Sequence, residues 1–329
     1  MFLFDLASWL VTVFGIASLL FAAVAVAQFV RVHLLRSPSS FAQYGGGDAS
    51  HWALVTGASD GIGKQYALQL AARGFNVVLL GRSAGKLADV AAELAAVTRG
   101  AVQSKVVVLD LARATPLMFD KLAADVAPLK LSVLVNNAGL SHELPERFGD
   151  ADLQRVRDIV SVNVVAVNEI THRLLPQLLK AAGSGGNKRA LVINVGSASG
   201  ILATPYLAAY AASKSYLAAW SHALQHEYRA DGVDVDCPLP FFVVSNMSKR
   251  SRASATIPTA EAYVKASLSK AGRFDAPFAP FFVHGLMELV MRSLPLALTQ
   301  FVVAKNLDMH VDIRRRALKK AAATSSSSK

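Results

Sequence analysis

The sequence has very little cysteine and little charge. Cys237 is its only cysteine, so an internal disulfide is excluded, which fits a reducing compartment. Charged residues make up 17% of the chain and hydrophobic residues 53%, a balance that is unusual for a simple soluble enzyme and indicates contact with a membrane. The 329 residues suffice for one α/β domain with an appendage.

Acidic residues are scarcer than basic ones, since 23 Asp or Glu stand against 34 Lys or Arg. The excess is concentrated in residues 301–329, which hold seven Lys or Arg and two Asp. A basic segment beside apolar segments favours an anionic membrane surface as its partner. No nucleic-acid-binding motif accompanies the charge, so we expect no nucleic acid partner, and we expect no metal site.

Residues 6–30 contain no charged side chain, and these 25 residues are long enough to cross a hydrocarbon core of about 30 Å as a helix. A cleaved signal peptide is disfavoured because the run is long, Asp5 precedes it and no basic region does. Arg31, His33 and Arg36 follow the run. Positive charge on that side predicts a single-pass anchor with the rest of the chain in the cytosol.

Short apolar runs alternate with helical stretches from Trp52 onward. The strand-like runs read WALVT, NVVLL, SKVVVLD, LSVLVNN, ALVINVG and GVDVDCP. Alternation of this kind is typical of a parallel sheet with helices on both faces, and continuous apolar strands fit a sheet buried on both sides. The sequence therefore predicts an α/β fold with a doubly wound parallel sheet of Rossmann type.

A second apolar region covers residues 277–304, but it contains His284, Glu288, Arg292 and Pro295. A clean membrane span rarely carries these residues. We expect a broken helix that lies on the membrane or covers the active site, rather than a second crossing. A helix that simply packs on the domain is the alternative.

A glycine-rich turn follows the first strand, in the stretch TGASDGIG. Its glycines allow positive φ angles and a close approach of a cofactor pyrophosphate, and the helix that begins near Ile62 points its N–H groups at the phosphates. The position after a first strand and before an amphipathic helix makes an ordinary turn the weaker interpretation. The candidate cradle residues are Gly57, Ser59, Asp60, Gly61, Ile62 and Gly63.

The second strand ends in VVLLGRSAGK, where a site for NAD usually offers an acidic residue to the ribose. Arg82 and Lys86 instead suit a 2′-phosphate, which predicts NADPH as the cofactor. The alternative is that both are solvated surface charges. Asp110, at the end of the third strand, either accepts from the adenine amino group or caps the following helix.

The stretch YLAAYAASKSY places Tyr210 and Lys214 four residues apart, so the two share a helix face. A phenol has a reference pKa of about 10, and a neighbouring ammonium is expected to lower that pKa towards neutrality. Carbonyl reduction needs a proton donor as hydride reaches carbon. Ser197, in INVGSASG, is placed to hold the substrate carbonyl. The alternative is a surface i,i+4 pair.

These motifs together resemble the short-chain dehydrogenase/reductase superfamily over roughly residues 52–247. The resembling pieces are TGASDGIG, NNAG, VNV, GSASG, YAASK and PFFVVSNM. The resemblance implies that Tyr210 is the proton donor, that Lys214 binds the nicotinamide ribose, and that Ser197 orients the carbonyl. It also implies that Asn163 holds a relay water. The further cofactor contacts that it implies are Asn137, Ala138 and Gly139 beside the central strand, and Val243 and Ser245 after strand six.

The N-terminal span and the stretch HEYRADGVDVDCPLPFFVVSNM narrow the resemblance to the membrane-bound 3-oxoacyl-CoA reductases of the fatty-acid elongase. That branch implies the endoplasmic reticulum membrane, a long-chain acyl-CoA substrate and other elongase enzymes as partners. A steroid or other lipophilic ketone reductase of the same mechanism is the alternative, and a non-catalytic membrane scaffold is a second one. Dimers or tetramers are usual in the superfamily, so a homo-oligomer stays open.

The predicted organisation has five segments. The segments are an anchor with its basic flank over 1–36, a linker over 37–50, the NADPH-binding catalytic domain over 51–246, a substrate loop and apolar helical region over 247–305, and a disordered basic tail over 306–329. The substrate loop carries the cations Lys249, Arg250, Arg252, Lys265, Lys270 and Arg273. Such charge meets either the phosphates of an acyl-CoA, lipid headgroups or solvent.

Overall fold

The computed structural model describes residues 2–35, 37–183, 188–274 and 277–326. Six parallel strands form one sheet in the order β3-β2-β1-β4-β5-β6. The strands are β1 His51–Thr56, β2 Asn76–Gly81, β3 Ser104–Val108, β4 Lys130–Asn136, β5 Ala190–Asn194 and β6 Val233–Asp236. The predicted doubly wound parallel sheet is confirmed, and each strand-like run of the sequence overlaps one of these strands.

Helices connect the strands and extend the chain at both ends. Within the described residues they are α1 Phe2–Val30, α2 Gly61–Ala71, α3 Ala84–Thr98, α4 Pro116–Val126, α5 Leu153–Val160, α6 Ala166–Ala182, α7 Ala208–Tyr228, α8 Ala260–Leu268, α9 Phe282–Ser293 and α10 Leu296–Ser326. Because β1 and β4 are neighbours, the strand order reverses between them, and such a switch point leaves a crevice at the carboxyl ends of the strands.

Each strand sends alternate side chains to the two faces of the sheet, as its backbone period of two requires. Ala53 and Val55 belong to a buried cluster that α2, α3 and α8 cover, whereas Leu54 belongs to a second cluster under α4 and α6. Both faces are therefore apolar and covered, which is why these strands read as continuous apolar runs.

The N-terminal helix is exposed over most of its length and contacts α9 near its end. The segment Ser8–Leu35 has a mean hydropathy of 2.5 and none of its most apolar window is buried. It is the one helix among the described residues that is long and apolar enough to cross a membrane. The predicted anchor therefore has the expected form, and its last five residues, Arg31–Leu35, continue as a π-helix. Arg36 of the predicted basic flank lies outside the described residues.

The segment predicted as a linker, residues 37–50, is packed against the domain. Tyr44 is fully buried, and its hydroxyl donates to the Asp234 carboxylate at 2.7 Å. Phe41 packs edge-on against Tyr44 and Phe75. Two aromatic side chains of this predicted linker, Phe41 and Tyr44, therefore lie in the core of the domain.

The second apolar region is a helix broken at Pro295, as predicted, with α9 on one side and α10 on the other. The basic tail differs from the prediction, because α10 continues to Ser326 where disorder was expected from residue 306. Its helical form is supported by the i,i+3 ion pairs Lys305–Asp308 and Arg315–Asp312 and by contacts with the domain.

Candidate active site

The glycine-rich turn between β1 and α2 forms an open cradle. Gly57 and Gly61 have φ angles of +63° and +55°, which only glycine adopts without strain. A Cβ atom on Gly63 would lie 2.2 Å from the Gly57 carbonyl oxygen, so a side chain there would fill the turn. Asp60 caps α2 by accepting from the Gly61 N–H at 2.7 Å. The first turn of α2 thus faces the space that a pyrophosphate needs.

The end of β4 fixes one wall of this cradle. The Asn137 amide donates to the carbonyls of Thr56 and Gly57 at 3.0 and 3.3 Å. The Thr56 hydroxyl accepts from the backbone N–H groups of Asn137 and Ala138, both at 2.9 Å. Residues of the predicted NNAG stretch therefore hold the backbone of the glycine turn in place from the end of the neighbouring strand β4.

The segment after β6 lies across the mouth of the cradle. Val243 is buried, and its carbonyl accepts from the Ser248 hydroxyl at 2.6 Å. A Cβ atom on Gly61 would lie 3.3 Å from Cβ of Ser245, and the Asn246 amide donates to the Asp60 carboxylate. The structure thus places Ser245, one of the two predicted cofactor contacts after β6, next to Gly61 of the glycine turn. Ser59 and Ile62 are half-buried in the turn itself.

The side chains predicted to select the cofactor lie at the ends of β2 and β3. Arg82 and Lys86 are exposed at the start of α3, so both cations are accessible to a ligand. Asp110 is also exposed, and its carboxylate accepts from the Ala112 N–H at 3.0 Å. This contact closes a local turn and does not cap the following helix, because α4 begins at Pro116 with Thr115 as its N-cap. The predicted contact of Asp110 with the adenine stays a prediction.

Tyr210 and Lys214 lie one turn apart on α7, with Ser197 beside them after β5. The Tyr210 hydroxyl forms a side-chain hydrogen bond with Ser197, which is only 6% exposed. The Lys214 ammonium is buried, donates to the Val195 carbonyl at 2.7 Å, and lies 6.0 Å from the centre of the Tyr210 ring. The surface-pair alternative is therefore excluded for these two residues.

Burial dominates the proton affinities at this site. It raises the pKa of Tyr210 above 10, and the hydrogen bond with Ser197 offsets only part of that rise. It also lowers the pKa of Lys214 to about 8, because the ammonium is poorly solvated. The prediction that Lys214 lowers the pKa of Tyr210 is wrong for this structure, since the ammonium is directed to a backbone carbonyl. The phenol keeps its proton at neutral pH, which is the state that a proton donor needs.

Asn163 lies in a π-helical segment, Ser161–Val165, between α5 and α6. Its amide oxygen accepts from the Leu140 N–H at 2.8 Å, and its amide nitrogen donates to the Leu140 carbonyl and to the Ser213 hydroxyl, both at 2.9 Å. A Cβ atom on Gly139 would lie 3.5 Å from the Asn163 amide oxygen and 3.7 Å from the Lys214 ammonium. Asn163 and Lys214 therefore border one small space beside Gly139, as the resemblance implies.

No pattern in the sequence indicates that α10 contacts the loop before α7 and the loop after β4, but the structure has both contacts. The His310 ring bonds to the Pro205 carbonyl at 2.8 Å, and the Arg314 guanidinium donates to the Pro145 carbonyl at 3.2 Å. Between them, the Glu146 N–H donates to the carbonyl of Tyr206, a residue held at a φ of +70° just before α7. The contacts of His310 and Arg314 join residues 105 and 169 positions apart, separations at which no local pattern predicts contact.

Comparison with known proteins agrees with this geometry. The family model for short chain dehydrogenases matches residues 51–256. Very-long-chain 3-oxoacyl-CoA reductases from Meyerozyma guilliermondii and Kluyveromyces lactis are 40% and 36% identical to the chain, over 87% and 96% of it and over 85% and 92% of their own lengths. A short chain dehydrogenase from Shigella flexneri, solved in complex with NADP, has a TM-score of 0.62 at 27% identity and covers 70% of this chain and 96% of its own. The chain belongs to the short chain dehydrogenase family.

Proposed function

We propose that the chain reduces the 3-oxo group of a very-long-chain acyl-CoA to a 3-hydroxyacyl-CoA with NADPH. The observation that carries this proposal is the arrangement of the buried Ser197 and Lys214 with the half-buried Tyr210 at the carboxyl edge of the sheet, next to the glycine cradle. The fungal relatives, which are very-long-chain 3-oxoacyl-CoA reductases, supply the substrate class.

The residues present fit a dinucleotide. Gly57 and Gly63 permit a tight turn that no side chain would allow, since a Cβ atom at either position would collide with neighbouring atoms of the turn or of β4's end, and the start of α2 supplies N–H groups for a pyrophosphate. Arg82 and Lys86 are accessible at the position where a ribose 2′-phosphate is read. When bound, NADPH supplies the hydride. The relative solved with NADP supports the choice of the phosphorylated cofactor.

The chain's own residues supply the proton and the orientation. Ser197 donates to the substrate carbonyl oxygen and so fixes it beside the phenol. Tyr210 keeps its proton because burial raises its pKa, and it releases that proton to the oxygen as negative charge develops there. The ammonium of Lys214 lies 6.0 Å from the centre of the Tyr210 ring and is the group that would bind the nicotinamide ribose, as the family resemblance implies.

The cations of the substrate loop fit the phosphates of coenzyme A. Lys249 donates to the Glu143 carbonyl at 2.8 Å, which holds it beside the loop that follows β4. Arg250 lies over the Phe242 ring, 4.9 Å from the ring centre, and Arg252 is exposed nearby. An acyl tail partitions into the bilayer at about 0.8 kcal/mol for each methylene, so an anchored enzyme meets its substrate at the membrane surface.

The proposed setting is the endoplasmic reticulum membrane, with the catalytic domain in the cytosol. Arg31 follows the apolar span directly, which supports that orientation. The other elongase enzymes, which supply the 3-oxoacyl-CoA and consume the 3-hydroxyacyl-CoA, are the proposed partners. A homo-oligomer is compatible with the exposed long helices of the domain.

Substrate profiling tests the proposal. Membranes that contain the full chain are incubated with NADPH and either a long-chain 3-oxoacyl-CoA or a 17-ketosteroid, and NADPH consumption is followed at equal substrate concentration. Faster consumption with the 3-oxoacyl-CoA supports the proposal. Consumption with the ketosteroid alone would establish the lipophilic ketone reductase instead, and consumption with neither would favour the non-catalytic scaffold.

A further inference from the structure

The exposed face of α9 is apolar. Phe282, Leu286 and Val290 are 44%, 45% and 52% exposed. They follow one another at intervals of four residues, so they form one stripe along the helix. A surface helix normally turns such a stripe towards the core and its polar residues towards water. An exposed apolar stripe of this kind marks a contact surface.

The polar side chains at the end of α9 find their partners within the chain. Glu288 is buried, and its carboxylate accepts from the Ala279 N–H at 2.6 Å and from the Arg292 guanidinium at 2.8 Å. The Ser293 hydroxyl donates to the Leu289 carbonyl at 2.8 Å. An apolar medium around the stripe therefore leaves none of these three side chains without a hydrogen-bond partner.

Contact with α1 locates the stripe relative to the membrane. The rings of Phe29 and Phe282 have centres 5.4 Å apart, and a Cβ atom on Gly285 would lie 2.5 Å from Nε2 of His33. Arg31 is the first charged residue after the apolar run of α1, so it marks the level of the headgroups. Phe29 precedes it by two residues, about 3 Å along a helix. Phe282 therefore lies at the boundary between headgroups and acyl chains.

The length of α9 fits a position along the membrane surface. Its 12 residues extend about 18 Å at 1.5 Å per residue, whereas a hydrocarbon core measures about 30 Å. Arg292 lies in its last turn, and a long basic side chain keeps its charge among the headgroups. A short helix with one apolar exposed face lies in the plane of the membrane, with that face about 5–10 Å inside the boundary.

We propose that the exposed stripe of α9 inserts among the acyl chains of the leaflet in which α1 ends. The stripe continues the apolar surface of α1, because Phe282 contacts Phe29, so one bilayer covers both surfaces. A protein partner would have to displace lipid from the end of α1 to reach the stripe. The catalytic domain thus has a second membrane contact beside its anchor, and this contact fixes the orientation of the domain.

Spin labelling of the full chain in phospholipid vesicles tests the proposal. Cys237 is the only cysteine and is buried, so a nitroxide reagent reacts with an introduced cysteine, and labelling of the wild type gives the background. Leu286→Cys places the label in the stripe. Leu117→Cys is the matched control, because Leu117 is 76% exposed on α4, which covers the opposite face of the sheet.

Collision rates of the two labels give the result. Oxygen is apolar and concentrates among acyl chains, whereas a charged nickel chelate stays in water. The ratio of oxygen to nickel collisions should be several-fold higher for the label at position 286 than for the label at position 117. NADPH binding by each labelled variant verifies that it is folded.

Two results would overturn the proposal. Equal ratios at the two positions would show that water covers the stripe. Low collision rates with both reagents at position 286 would show that protein covers it, and spin–spin broadening would identify that protein as a second copy of the chain. Because reduction of a substrate is not measured, a negative result here leaves the proposed function intact. Failure of the substrate test likewise leaves this membrane contact intact.

Discussion

Tyr210 is a half-buried phenol whose hydroxyl forms a side-chain hydrogen bond with Ser197. If it delivers the proton, Tyr210→Phe removes the acid and leaves the shape of the site unchanged. We expect turnover to fall by about 10²–10⁴-fold, the usual contribution of general acid catalysis. NADPH affinity should change little, because the phenol contributes little to cofactor binding. Steady-state rates together with NADPH fluorescence titration separate the two effects, and unaltered turnover would refute the assigned role.

Arg82 is the residue on which the choice of cofactor depends. Its exposed guanidinium stands where a ribose 2′-phosphate is read, and NADH lacks that phosphate. Arg82→Ala should weaken NADPH binding on the order of tenfold, as expected for a lost charge-assisted hydrogen bond, and NADH binding much less. Titration with both cofactors gives the ratio directly. Equal losses would mean that Arg82 is a solvated surface charge.

Asp236 gives a pH-dependent prediction for stability. Burial raises the pKa of this carboxyl from 3.8 to about 8. The folded chain therefore keeps a proton that the unfolded chain releases, so stability falls as the pH rises between about 4 and about 8. Asp236→Asn resembles the protonated acid and removes this loss. The variant should exceed the wild type in Tm more at pH 8 than at pH 5 by calorimetry, and equal differences at both pH values would contradict the assignment.

At the scale of elements, α10 is connected to the loops beside the catalytic helix. His310 and Arg314 bond to Pro205 and Pro145, and Glu146 bonds to the strained Tyr206 that precedes α7. A residue held at positive φ persists only where its surroundings enforce it. We therefore interpret α10 as the element that holds the turn from which Tyr210 is presented.

Arg314→Ala tests this interpretation. It should lower kcat by about tenfold and leave the affinity for NADPH unchanged, because the turn before Tyr210 loosens while the glycine cradle keeps its contacts. Arg315→Ala is the matched control, since Arg315 pairs with Asp312 on the exposed face of the same helix. A single-turnover measurement shows whether the proton-transfer step itself is slowed. Equal rates for the two variants would reduce α10 to a purely structural role.

The elements differ in how far the sequence predicts them. The strands and the glycine turn are encoded locally, by apolar runs and by backbone conformations that only glycine permits, so their positions follow from the sequence. The break at Pro295 is local for the same reason. The burial of Tyr44 and the order of α10 depend on partners such as Asp234 and Pro205, which are distant in sequence. No pattern within residues 37–50 or 306–329 contains that information.

The features of the catalytic site also fall into those that the sequence predicts locally and those that depend on the complete fold. The spacing of Tyr210 and Lys214 predicts a shared helix face, and the structure has it. The pKa of Tyr210 depends on burial, which the spacing does not give, and here the expectation had the wrong sign. The contacts of Glu146, His310 and Arg314 involve loops brought together only by the complete fold.

In the whole molecule, the candidate membrane helix α1 is linked through α9 to the predicted substrate loop. The end of α1 packs on α9 through Phe29 and Phe282. His284 of α9 is fully buried and bonds to the Thr256 carbonyl of the substrate loop at 3.0 Å. A substrate whose tail stays in the bilayer therefore approaches a loop whose position is tied to the anchor itself.

This arrangement requires the catalytic domain to lie on the side of the membrane where α1 ends. Arg31 and the cations of α10 all follow the span, and positive charge is retained on the cytosolic side. In sealed microsomes, protease added outside should digest the catalytic domain and leave a protected fragment that carries α1 and an N-terminal epitope tag. Protection of a C-terminal tag until detergent is added would show the opposite orientation. In that case NADPH and acyl-CoA would have to reach the lumen. The proposal that the anchor brings the active site to a cytosolic substrate would then fail.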